Sequence, residues 1–178
     1  NQTTGGGTCH GVSIFDTASP SGEFTGTGGS GGGHCMGIDI YGTASPNGTF
    51  RGTGGSFTDA YPFCVGIRIG ENATPKGEFY GQGGSGGGKN VGINICNQAS
   101  PTGTFTGTGG DGGHHCYGLR IVDESTPQGQ GFGYGGGGGD ACRGLELRSN
   151  ATPTGEFYGV RRHGGQERQG LRLGPAPA

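Results

Sequence analysis

The chain has 178 residues, enough for one ordinary domain, but 49 of them are glycine and only 27 are Phe, Ile, Leu or Val. A formal net charge of −2 argues against a nucleic-acid partner or an anionic membrane surface, since both select concentrated positive charge. No apolar stretch approaches the ~20 residues of a membrane span, so membrane insertion is not expected. The few apolar residues recur at fixed spacing, which predicts an ordered chain without a conventional apolar core.

The sequence is an internal repeat that can be anchored on one proline. This proline recurs at spacings of 26, 29, 26, 26 and 26 residues, and the long spacing contains the inserted segment SFTDAYPFC. Such regular periodicity predicts a single repeat domain. Its anchors are Pro20, Pro46, Pro75, Pro101, Pro127 and Pro153. Its parts are a half-unit 1–16 and the units 17–42, 43–71, 72–97, 98–123, 124–149 and 150–178.

The elements follow the same order in every unit. The Ser-Pro-x-Gly segment is typical of a type I turn, with proline at the second position and glycine at the fourth. The Phe that follows predicts one strand, and an Ile-x-Ile triplet with period-two alternation predicts another. The glycine run between them indicates close approach of backbones. Because one unit cannot bury its own strands, the units must stack.

Stacking predicts an all-β, glycine-rich β-solenoid of about six 26-residue coils plus a leading half-coil. Steps of about 4.8 Å would place a Phe ladder opposite two ladders of Ile or Leu, beside a glycine-dense wall. The alternative is a stack of antiparallel hairpins with polyglycine-type segments, in which each unit pairs its Ile strand with its own Phe strand. Helix content is expected to be close to nil.

Five of the six cysteines share one position of the repeat and would form a column, which predicts disulfides between neighbouring coils. The disulfide candidates pair Cys9 with Cys35 and Cys116 with Cys142. Cys64 and Cys96 have no partner in this scheme, so they are candidates for inter-chain bonds or free thiols. The competing interpretation is that cysteine, being small and mildly apolar, fills a narrow inner slot.

No catalytic, cofactor or metal site is predicted, and we expect that the protein is not an enzyme. Four histidines lie next to the cysteine column, but adjacent strand residues point to opposite faces, so a His–Cys pair would not chelate one ion. The glycine runs lack the Lys-Ser/Thr ending of a phosphate-binding loop and the regular Asp of calcium-binding nonapeptides. The insertion contains one acid, Asp59, and no base.

A hydroxylated residue precedes each anchoring proline, which predicts O-glycan acceptors along one edge of an exported protein. The glycosylation candidates are Ser19, Ser45, Thr74, Ser100, Thr126 and Thr152, with Asn47 for an N-glycan. The alternative is that these residues are ordinary turn formers.

These features favour a structural subunit of an extracellular fibre, sheath or matrix. Six cysteines beside a small core, and a first residue that is not Met, favour export to the outside or the surface of a cell. The ends of a solenoid template a second copy of the chain, which predicts head-to-tail homopolymers.

Two alternative functions use the outer surface of the solenoid. The first is a monomeric cell-surface adhesin or glycan-binding module, in which the glycine wall or the side chains of Tyr80, Tyr134 and Tyr158 would bind a glycan or a receptor. The second is an ice-binding protein that uses stacked threonines, represented by Thr25, Thr27, Thr106 and Thr108.

Overall fold

The computed structural model of the chain describes residues 7–30, 33–56, 63–86, 88–138, 141–163 and 166–173. These residues form strands, turns and extended segments, and none of them is helical, so none forms a helix that could cross a membrane. Parallel strands stack as a β-solenoid of about five turns. The prediction of an all-β solenoid is confirmed for this part of the chain. Asp59 and most of the insertion lie outside the described residues.

The described residues form thirteen strands in two sheets. In chain order they are β1 (Thr8–Ile14), β2 (Ser21–Thr27), β3 (His34–Ile40), β4 (Asn47–Thr53), β5 (Phe63–Ile69), β6 (Lys76–Gln82), β7 (Lys89–Ile95), β8 (Thr102–Thr108), β9 (His115–Ile121), β10 (Gln128–Tyr134), β11 (Arg143–Leu147), β12 (Thr154–His163) and β13 (Gln166–Leu173). Sheet A is β1-β3-β5-β7-β9-β11, and sheet B is β2-β4-β6-β8-β10-β12-β13. All pairs are parallel except β12–β13, so the hairpin alternative is wrong for every other pair.

The space between the two sheets is filled by side-chain ladders. Phe24, Phe50, Phe79 and Phe105 stack with ring centroids 4.9–5.0 Å apart and interplanar angles of 5–10°. They pack in one cluster with the Ile and Leu side chains of sheet A, which are almost entirely buried. The predicted Phe ladder and the predicted Ile/Leu ladders are therefore confirmed, and they form the main core.

Glycines in the middle of the strands bring the two backbones into contact. A Cβ at Gly52 of β4 would lie 2.7 Å from the carbonyl carbon of Gly66 in β5, closer than real Cβ atoms approach. Equivalent contacts recur along the stack, as expected for glycine segments that pack backbone against backbone. We call this feature the glycine seam. It comprises Gly26, Gly52, Gly81, Gly107, Gly133 and Gly159 of sheet B and Gly11, Gly37, Gly66, Gly92, Gly118 and Gly144 of sheet A.

The chain turns before each anchoring proline rather than at it. Asn97 and Gln98 both have left-handed φ values, 52° and 66°, and Ala99 N donates to Cys96 O at 3.2 Å across them. Turns closed in the same way lie at 16–17, 71–72, 123–124 and 149–150. The predicted type I turn at Ser-Pro-x-Gly is therefore wrong.

The proline segment instead continues the ladder between coils. Ser45 N donates to Ala18 O at 3.0 Å, and Asn47 N donates to Pro20 O at 3.0 Å. Pro46 lies between these two donors, at a position where the ladder requires no N–H, so its missing donor is harmless. The glycine two residues after the proline has a positive φ, 146° at Gly48, which a side chain would not tolerate.

The last strand departs from the repeat. A regular coil would place the Leu171–Leu173 triplet next to β11 in sheet A. Instead β13 folds back antiparallel on β12, with a register shift between Tyr158 and Val160. Sheet B consequently contains seven strands and sheet A six.

Candidate functional site

The outer face of sheet B carries a column of residues that includes most of its surface aromatic rings. The column contains one residue from each parallel strand, in register: Thr25, Arg51, Tyr80, Thr106, Phe132 and Tyr158. We call it the aromatic column. Its members alternate with the glycines and Phe residues that face the core, as the period of two requires.

Side chains in the aromatic column contact their neighbours along the stack. The Arg51 guanidinium lies 4.4 Å from the centroid of the Tyr80 ring, and the Tyr80 hydroxyl donates to Glu78 Oε2 at 2.9 Å, which raises the pKa of Tyr80. Phe132 and Tyr158 stack with centroids 5.4 Å apart at 9°. Thr106 lies between these two groups and interrupts the column.

Phe132 reaches the surface because β10 breaks the rule of the repeat. Gly131 occupies the position in β10 that Phe occupies in the strands beside it, and Phe132 follows with its side chain outward. Inside, Phe105 and Phe157 lean toward each other across Gly131, with centroids 6.3 Å apart at 23°. Strand β10 therefore places on the outer face the aromatic ring that its neighbouring strands place in the core.

The residues proposed for the two alternative functions lie on this face but do not form one group. Tyr134 is on β10 in the next column, and Tyr158 is on β12. Tyr80 is on β6, with β8 between it and Phe132. The two threonine pairs lie on β2 and β8, so that β4 and β6, which carry Arg51 and Tyr80, separate them.

The glycosylation candidates are brought to one edge of the solenoid. Thr74 Oγ1 donates to Ser45 Oγ at 3.2 Å, and Thr126 Oγ1 donates to Ser100 Oγ at 2.9 Å, so neighbouring hydroxyls bond in pairs. Ser45, Ser100 and Thr126 are half-buried. The remaining candidates, Ser19, Thr74, Thr152 and Asn47, are exposed. Glycosylation stays a prediction, and the exposed positions are the most accessible to an enzyme.

The cysteine column forms as predicted, without disulfides. Cys9, Cys35 and Cys64 are in register on β1, β3 and β5, and none of the six cysteines is disulfide-bonded. Burial, with a smaller contribution from Cys35, raises the pKa of the Cys64 thiol to about 12. Cys142 lies just before β11 and is buried, as is Cys116. The two disulfides therefore stay predictions.

The column occupies a narrow slot beside the glycine segments. A Cβ at Gly55 would lie 2.9 Å from the Cβ of Cys35, and one at Gly84 would lie 2.9 Å from the Cβ of Cys64. This confinement supports the interpretation that a small side chain is required there. Cys96 lies elsewhere, at the end of β7, where its thiol accepts from Asn94 Nδ2 at 3.5 Å.

Sheet A also carries a polar ladder that was not predicted from the sequence. It consists of the middle residues of the Ile-x-Ile triplets, Asp39, Arg68, Asn94, Arg120 and Glu146, which are in register. Arg68 Nη1 donates to Asp39 Oδ1 at 3.0 Å, and Arg120 bridges Asn94 Oδ1 and Glu146 Oε2, each at 2.9 Å. The signal was present, because this position is polar in every triplet from Asp39 to Glu146.

The two carboxylates of this polar ladder are buried and paired with half-buried arginines. Asp39 is 2% exposed and Glu146 is 5% exposed. Burial raises the pKa of Asp39, and the neighbouring Arg68 opposes that shift. Buried charges are tolerated only when they are paired in this way, so a shift in register that separated these partners would be unfavourable.

The fold and its surfaces define the chain as a parallel β-solenoid repeat protein. Comparison with protein-family models, with curated proteins and with solved structures found no match. Within the described ranges, no three or more His, Cys, Asp or Glu side chains are grouped so that they could hold a metal ion.

Proposed function

We propose that the chain is a structural subunit of an extracellular fibre, sheath or matrix, and that it assembles head-to-tail through the ends of its solenoid. In this proposal the stack consists of a leading half-coil followed by six 26-residue coils, and the last coil ends in β13. The predicted disulfides and glycans would reinforce such a stack outside the cell.

The observation that carries this proposal is the sameness of the contact between coils. From β2 to β12 each strand of sheet B adds to the previous one in parallel and in register, and each core Phe from Phe24 to Phe105 stacks on the next. Each coil therefore accepts an equivalent coil on one side, and the end of the stack presents the same kind of surface to a second copy of the chain.

The end near β1 and β2 presents this surface. In the described part of the chain no strand pairs with the outer edge of β1 or of β2. Phe24, the last ring of the ladder, is half-buried, whereas Phe50 is completely buried. A second copy added there would cover the ring and complete the backbone hydrogen bonds of both strands.

The other end differs because of β13. In a head-to-tail contact, β2 of one subunit would add to the outer edge of β13 of the next, and sheet A would be one strand short at the junction. A two-fold contact between two β1–β2 ends has no such mismatch, but it closes into a dimer. The two arrangements therefore predict different particles.

Negative-stain electron microscopy and sedimentation velocity test the proposal. We expect filaments of uniform width from the unaltered chain. Phe24→Lys should abolish them by placing a charge in the stacking surface, whereas Thr25→Lys, with the same charge change on the outer face of the same strand, should not. Closed dimers would contradict the head-to-tail arrangement and support the two-fold one. Monomers at high concentration would contradict assembly through the ends.

A further inference from the structure

We propose that the outer face of sheet B binds one pyranose ring of a neutral polysaccharide in the gap that Thr106 leaves between the rings of Tyr80 and Phe132. This site is separate from the ends of the solenoid, and it does not depend on assembly.

The gap has the width of one missing ring. Tyr80, Thr106 and Phe132 are in register on three neighbouring strands. Strands lie about 4.8 Å apart, so the two rings stand about 9.6 Å apart, with Thr106 as the floor between them. Rings in the core of this protein stack at 4.9–5.0 Å per strand. A single ring placed above Thr106 would therefore continue the column with the spacing that the fold already uses.

The two aromatic walls face the gap with their uncovered sides. Arg51 covers the Tyr80 ring from the side of β4, and Tyr158 covers the Phe132 ring from the side of β12. The other face of each ring is directed toward β8 and Thr106. Both walls are half-buried and held by these contacts, so a ligand would meet rings that are already positioned.

The chemistry around the gap selects a sugar. A pyranose has C–H faces, which the negative faces of aromatic rings attract, and hydroxyls around its rim, which need hydrogen-bonding partners. The side chains bordering the gap are mainly hydroxyls and amides, with one carboxylate, and they come from Thr104, Thr108, Gln82, Gln130, Tyr134 and Glu78. The Arg51 guanidinium lies over the Tyr80 ring and the Glu78 carboxylate accepts from the Tyr80 hydroxyl, so charges of both signs lie beside the site, which favours a neutral ligand. Because small threonines flank Thr106 along β8, the gap is open in both directions, which suits an internal residue of a polymer.

The core of the protein departs from the repeat beneath this site. Gly131 leaves the core without a ring of its own at β10, and the Phe157 ring leans into that space, where a Cβ at Gly131 would overlap it and lie 2.8 Å from Cδ2 of Leu119. Because Phe stands at position 132 instead of 131, its ring lies on the outer face and forms one wall of the gap. A local departure from an otherwise regular repeat is typical of functional positions.

The experiment measures binding of the full chain to hexasaccharides of β-1,4-glucose, β-1,4-mannose, β-1,4-galactose and β-1,3-glucose by calorimetry and saturation-transfer NMR. We expect at least one of the four to bind. Thr106→Phe, which fills the gap, and Tyr80→Thr, which removes one exposed wall, should each weaken binding at least tenfold. Thr25→Phe makes the same substitution in the same column on β2, and it should leave affinity within twofold.

Circular dichroism establishes whether each variant is folded. If Thr106→Phe does not fold, Tyr80→Thr still tests the site. Binding of none of the four sugars by the unaltered chain would overturn the proposal. Equal losses for Thr106→Phe and Thr25→Phe would also overturn it, because the gap would then not be the site. Binding of a planar naphthalene sulfonate without any sugar would overturn the assignment of the ligand class.

Discussion

A single added methyl group in the glycine seam should destabilise the solenoid more than any surface change of the same size. Gly52→Ala is the perturbation we would choose, because the seam is most regular in the central coils. The new Cβ would lie 2.7 Å from both the carbonyl carbon of Gly66 and Cγ1 of Ile67, and it would also overlap the Gly66 carbonyl oxygen. Two of these three atoms belong to backbone, which a rotamer change cannot move.

The size of the effect follows from how far the sheets must separate. Normal contact between carbon atoms needs about 3.5 Å, so the sheets must open by roughly 0.8 Å, enough to forfeit a quarter to a half of the local dispersion energy. Overpacking of this kind costs about 1–3 kcal/mol, and a backbone obstacle favours the upper value. For a chain of this length, about 3 kcal/mol lowers the melting temperature by roughly 6–12 °C.

Gly29→Ala is the matched control. A Cβ at Gly29 would only touch Cys9, at 3.7 Å and 3.9 Å, which are ordinary contact distances. Both variants gain the same reduction in unfolded-state entropy, so their difference isolates the seam. The assay is urea and thermal unfolding followed by far-ultraviolet circular dichroism. If the two variants unfold within about 0.5 kcal/mol of each other, the sheets are not in backbone contact and our account of the seam is wrong.

Three further changes test the core, the thiols and the polar ladder. Phe79→Ala removes a completely buried ring and should lower the free energy of unfolding by about 3–5 kcal/mol in urea titrations; a loss below 1 kcal/mol would contradict the ladder. Burial raises the pKa of Cys64 from 9.0 to about 12, so between pH 9 and 12 only the unfolded chain loses this proton, and stability should fall as the pH rises. Cys64→Ala should flatten this fall when melting temperature is measured against pH; an unchanged profile would count against the raised pKa. Arg120→Leu leaves Glu146 buried with only Arg143 as a partner and should lower the free energy of unfolding by about 2–3 kcal/mol. The double variant Arg120→Leu with Glu146→Leu should restore part of this loss in the same urea titrations; no recovery would mean that the loss comes from packing rather than from charge.

The sequence was sufficient to predict the ladders because stacking leaves few choices. A Phe and an Ile-x-Ile triplet that recur every 26 residues can be buried together only if equivalent residues lie above one another. Register and core composition then follow from the repeat itself. The cysteine column was predicted for the same reason.

The local conformation of the proline segment was not predictable in this way. Ser-Pro-x-Gly fits a type I turn, but it also fits an extended strand in which glycine takes a positive φ, as Gly48 does at 146°. Contacts between coils decide the matter, since Ser45 and Asn47 both donate to the preceding coil. The antiparallel β13 was missed because its Leu-x-Leu pattern is the same in either direction.

The exchange of residues at β10 allows a last test that joins stability to binding. The double substitution Gly131→Phe with Phe132→Thr restores the repeat, with a ring in the core and a small polar residue outside. Burying one Phe side chain contributes about 1.5–3 kcal/mol, part of which is lost in moving the Phe157 ring and Leu119, both of which a Cβ at 131 would contact too closely. We therefore expect a net gain of about 1–2 kcal/mol in urea unfolding, together with loss of sugar binding.

Phe132→Thr alone serves as the control, since it should lose binding without gaining stability. If the double variant is no more stable than the unaltered chain, the core at β10 has no room for a ring, and the outward Phe132 is explained by packing alone. If it is more stable and still binds sugar, the site lies elsewhere on the solenoid. A gain in stability together with loss of binding would show that β10 trades core packing for a surface ring, as expected where function opposes stability.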